Sequence, residues 1–147
     1  MAELNADTGD VRAAFNAAFS IDALSARIYR WLERDRPELV ASIKGEDDGY
    51  RVDLAKHNFD YRLLCDVARA MKHCELRRKT PRLVYSASKV SQQTLMVSDM
   101  ESFDRDWTTE PCVLIEREGE RPLIARNVFE RALEFLEGQL EQYAVQP

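Results

Sequence analysis

Apolar side chains recur at three- and four-residue spacings near the start of the chain, at Val11, Phe15, Ala18, Phe19, Leu24, Ile28, Trp31 and Leu32. That period predicts an amphipathic helix over 10–33, with Arg27, Arg30, Glu33 and Arg34 on its wet face. Ser20, Ile21 and Asp22 resemble a fresh N-cap, so this stretch is either two helices or one kinked helix. Pro37 limits its extension. The run KGEDDGY at 44–50 combines two glycines with three acids and reads as an exposed loop. A second helix is expected over about 60–76, capped by Asp53 or Asn58, with Phe59, Leu63, Leu64, Val67, Ala68, Met71 and Cys74 as its apolar stripe.

After Pro81 the period changes. Residues 82–88 and 92–98 are rich in Val, Tyr, Leu and Thr and predict short strands. The acidic stretch 99–111 reads as a loop, with Phe103 and Trp107 either tucked onto the core or presented to a partner. Residues 112–117 and 122–125 flank Glu118-Gly119 and predict a hairpin. Asn127 and Glu130 form a capping box for a last helix over 128–143. The layout is α+β: a helical bundle of two to three main helices with a small antiparallel sheet or hairpin before the C-terminal helix. One domain is expected over 10–143, with a flexible N-terminus at 1–9 and a tail at 144–147.

Composition narrows the function classes. The net charge of −5 disfavours broad binding to nucleic acid or anionic membranes. A local basic cluster exists all the same: Lys72, His73, Arg77, Arg78, Lys79 and Arg82. The three cysteines, Cys65, Cys74 and Cys112, have no CxxC spacing and read as free thiols of a reducing, cytoplasmic compartment, with Cys65 and Cys74 as small buried hydrophobes. With two histidines they make no zinc spacing, and the 47–49 run lacks the alternating oxygens of a calcium loop, so no metal is expected. No phosphate-loop, dinucleotide or nucleophile-elbow motif appears, and no cofactor is expected. The N-terminus has no signal-peptide pattern, and no apolar run approaches the roughly 20 residues that span a bilayer.

Candidate chemistry concentrates on Asp66, Arg69, Lys72 and His73. A histidine can serve as a general base, and Arg69, one turn earlier, can hold a phosphate. Asp66 and Arg69 stand at i, i+3 and are expected to pair. The competing explanation is structural: a cationic end of a helix favoured by the helix dipole. Any ligand or anion site is placed around Lys72 and Arg77, with Arg30 contributing.

The segment DVARAMKHCELRRK resembles a pattern, Asp-x-x-x-Ala-x-Lys-His-x-x-Leu-x-Arg, of small uncharacterised bacterial and phage-borne proteins. In that family a helix with a Trp-Leu pair precedes the pattern, and a strand pair and a final helix follow. Trp31-Leu32, the hairpin and the last helix fill those places here, and no activity comes with the resemblance. Arg69 and His73 also resemble the Arg…His motif of the HEPN superfamily, with a shorter gap than that family's. This second resemblance implies an RNA-binding or RNA-cleaving dimer with Arg69 and His73 catalytic. The sequence therefore leaves two classes of function: a self-associating protein-interaction module, expected as a homodimer with or without a further protein partner, and a HEPN-like protein of a defence or mobile-element system acting on RNA.

Overall fold

The computed structural model describes residues 9–77, 79, 81–98 and 107–145. It has an α+β fold: helices α1 (Val11–Asp35), α2 (Pro37–Val40), α3 (Glu46–His57) and α4 (Phe59–His73), strands β1 (Val90–Ser98), β2 (Trp107–Ile115) and β3 (Leu123–Ile124), then α5 (Ala125–Val145). The antiparallel sheet has the order β1-β2-β3 and precedes the last helix, as the hydrophobic pattern predicts.

α4 is the central helix. It touches α1, α3 and α5, which is why Tyr61, Leu63, Leu64, Cys65, Val67, Ala68 and Ala70 are buried around most of its circumference. Phe129, Ala132 and Leu136 of α5, with Val90, Val113 and Ile115 from the base of the sheet, complete the core. Arg131 grips Asp60 with two hydrogen bonds of 2.9 and 2.8 Å and ties α5 to the first turn of α4. Arg36 donates to the Tyr143 carbonyl at 3.0 Å and holds the far end of α5 against the end of α1.

Several sequence expectations are corrected. α1 is one helix, the second of the two alternatives the sequence left open: Asp22 does not cap a new helix but accepts a hydrogen bond from Arg51 of α3 at 2.9 Å. Most of the run taken as a loop is the first turn of α3. Glu46, Asp47 and Asp48 occupy that turn, where negative charge meets the positive end of the helix dipole. Gly45 turns the chain at φ +91°, and a Cβ on Gly49 would collide with the Lys44 carbonyl, so glycine is required there. α4 ends at His73, before the expected 76.

Residues 82–88 form no strand. They pass back along the residues that follow α4, with Ser86 in an isolated bridge to Glu75, Leu76 N donating to the Tyr85 carbonyl and Ala87 N to the Cys74 carbonyl, and the chain closes into a 3-10 turn over Ala87–Lys89. Residues 107–111, expected as loop, belong to β2, with Trp107 its first residue; Phe103 lies outside the described residues. Asn127 does not cap α5, because the chain passes from β3 directly into the helix at Ala125. Of the expected flexible N-terminus, residues 1–8 lie outside the described residues, while Gly9 is buried against Pro111. Of the expected tail, Ala144 and Val145 belong to α5.

Candidate functional site

The residues singled out at the end of α4 stay together, with one exception. Lys72, His73 and Arg77 are exposed, Arg69 is half-buried, and none of the four forms an ion pair among the described residues. They stand at the C-terminal end of α4, where the helix dipole favours positive charge. Arg30 is elsewhere. Tyr61 lies beside Ser25 and Cys65 donates toward Asp22, so α4 runs antiparallel to α1. Counting outward from the Asp22–Cys65 contact puts Arg30 and His73 about 24 Å apart along the helix axes. Arg30 instead meets Glu33 at 2.9 Å and Glu46 at 3.7 Å, beside a shallow groove shared with Ala26, Arg27, Trp31 and Arg34.

Asp66 does not pair with Arg69. It is 4% exposed and accepts from Arg82 at 2.9 Å and from the backbone N–H of Leu83 at 2.8 Å. Arg82 N in turn donates to the Tyr85 hydroxyl at 3.0 Å. The carboxylate is thus the anchor for the segment that leads into the sheet, and its role is structural. Cys74, expected to be buried, is exposed at the C-cap of α4 with φ +59°.

A polar cluster that the sequence did not reveal lies between α1, α3 and α4. Arg51 joins Asp22 at 2.9 Å, Asp47 at 2.9 Å and Asp48 at 3.1 Å. Cys65 Sγ stands 3.5 Å from Asp22, and burial, with the negative charge of Asp22 next, pushes its thiol up to about 12. A thiol so held is no nucleophile at neutral pH. The buried Tyr61 hydroxyl, beside Ser25 and Cys65, has no hydrogen-bond partner among the described residues. No group of described side chains there or elsewhere could hold a metal ion.

The remaining feature is the ribbon of β1 and β2. The two strands pair without interruption from Val90–Ile115 to Ser98–Trp107. Its base is covered: Val90, Cys112, Val113, Leu114 and Ile115 are buried, while Ser91 and Leu95 are half-buried. Further out, Gln92, Gln93, Thr94, Thr109, Glu110 and Pro111 are exposed, and Met96 is 67% exposed. β3 pairs with Leu114 and Ile115, so among the described residues the outer part of the ribbon has two strands and no third. One signal for this was legible in the sequence, the unusually polar but uncharged run VSQQTLMVS. Compared with known proteins, the chain matches no family model, no curated protein and no solved structure.

Proposed function

We propose that this protein is a self-associating protein-interaction module that acts as a homodimer. The observation that carries this is the ribbon, whose outer part leaves the helical body with its apolar Met96 in water. A two-stranded ribbon on its own is marginal in water, and stability comes from a third strand or a packed face. Among the described residues of the same chain no third strand pairs with the outer part of β1, and Gly9 is packed against that part of the ribbon, at Pro111 and Gln92. A second copy is the commonest way to cover such a surface, by a symmetric two-fold contact. Three free thiols support a reducing, cytoplasmic setting, and no helix among the described residues is long and apolar enough to cross a membrane.

Sedimentation equilibrium over a wide range of protein concentrations tests the proposal. A monomer–dimer equilibrium is expected, with dimer favoured as concentration rises. A strict monomer at the highest concentration would remove this function.

A further inference from the structure

The two edges of the ribbon are not alike, and the difference points to how the copies meet. An exposed strand edge presents unpaired N–H and C=O groups, and proteins that remain monomeric blunt it with charge, proline, a bulge or shortness. β2 carries two of these devices, Glu110 and Pro111. β1 carries none. It is nine residues long, with constant register, and contains no charged residue, proline or glycine. In a chain in which 32% of residues are charged, that run stands out as an edge left open.

Hydrogen-bond parity shows which groups the edge offers. Glu116 N donates to the Lys89 carbonyl at 2.8 Å, and the two residues are directly opposed in the same register as the rest of the ribbon. Bonded pairs alternate along an antiparallel ladder. The odd-numbered residues of β1 therefore bond inward to β2, while Gln92, Thr94, Met96 and Ser98 turn their N–H and C=O outward; the Val90 N–H is already taken by the Ala87 carbonyl. Pro111 sits opposite Thr94, where its missing N–H falls on the far side of β2 and leaves the ladder to β1 intact.

We infer that β1 pairs antiparallel with β1 of a second copy, joining two three-stranded sheets into one continuous sheet. This rests on the self-association proposed above and specifies its surface. Outward residues must meet outward residues, so the two-fold axis passes through a residue of β1 and not between residues. Placing it at Thr94 opposes Gln92 with the partner subunit's Met96 and centres the pairing on the outward residues 92–98, with Val90 contributing its carbonyl alone opposite the partner subunit's Ser98. No charge lies on either side, so the strand meets itself without the like-charge repulsion that penalises self-pairing. The antiparallel arrangement also sends the two helical bodies to opposite ends of the shared strands, separated by about 30 Å of strand length, so the bodies do not compete for the same space.

Two substitutions test this by sedimentation equilibrium and circular dichroism. Thr94→Pro deletes an outward N–H and leaves the inward ladder unbroken, and Thr94→Lys sets two ammonium groups face to face at the axis. Both are expected to keep the wild-type spectrum and to weaken dimerisation by about tenfold or more. If T94P fails to fold, T94K alone decides. A wild-type dimer that both folded variants retain at full strength would overturn edge pairing while leaving self-association standing. A wild-type monomer at every concentration would overturn both.

Discussion

Asp66 shows how a single residue is assigned its role by partners that sequence spacing does not disclose. The spacing i, i+3 offered Arg69. The folded chain delivered Arg82 and the N–H of Leu83 from the segment after α4. Burying a carboxylate is costly unless its lone pairs are matched, and here two donors match them. Asp66→Ala leaves both donors without their acceptor and is expected to destabilise the fold by about 3 kcal/mol, read from the urea midpoint. Asp66→Asn keeps one acceptor oxygen and should cost less. Equal stability of the wild type and the alanine variant would show that the 81–86 segment is held by other contacts.

Among the elements, α3 and α4 are two helices where the periodicity showed one. The joint is Asn58, whose extended backbone ends α3 and whose side chain accepts from Tyr61 N at 2.8 Å to start α4. Asn58→Ala is expected to cost about 1 kcal/mol through the lost cap, seen as a lowered melting temperature with the far-UV spectrum retained. α3 escaped sequence reading because its apolar residues are few: Tyr50 and Leu54 are its buried residues, with Val52 exposed. Its helix is stabilised by acids at the dipole's positive end and by Arg51, which neutralises two of them. The same acids and glycines in an unstructured segment would look identical in composition.

The whole molecule couples its buried hydroxyl and thiol groups to alkaline pH. The Cys65 thiol is raised to about 12, by burial first and by Asp22 second, and the phenols of Tyr61 and Tyr50 are raised mainly by burial. In each case the folded state holds its proton to higher pH than the unfolded chain does. Stability from these groups is therefore complete below their ordinary values and declines as the unfolded state begins to ionise. The urea midpoint is expected to fall from about pH 9 toward pH 12. Cys65→Ala should shrink the earliest part of that fall, leaving the contribution of Cys112, whose thiol is also raised by burial, and the tyrosine part. A midpoint unchanged across the window would show that water reaches these groups in the folded protein.

By itself, the sequence determined the class of fold: apolar periods of three to four residues produced α1, α4 and α5, and a turn between β-rich runs produced the β2–β3 hairpin. These are local properties, readable because side chains on one helix face or one turn are neighbours in sequence. Only the tertiary structure decided that Asp66 anchors Arg82, that Arg30 lies far from His73, and that the acidic run at 46–48 opens a helix. The first two depend on segments meeting that are distant along the chain, and no spacing encodes such a meeting; the third escaped because α3 buries too few apolar residues to show a period. The edge of β1 draws on both. Its lack of charge is written in the sequence, but its position at the outside of the sheet, with alternate amides facing outward, exists only once the strands have paired.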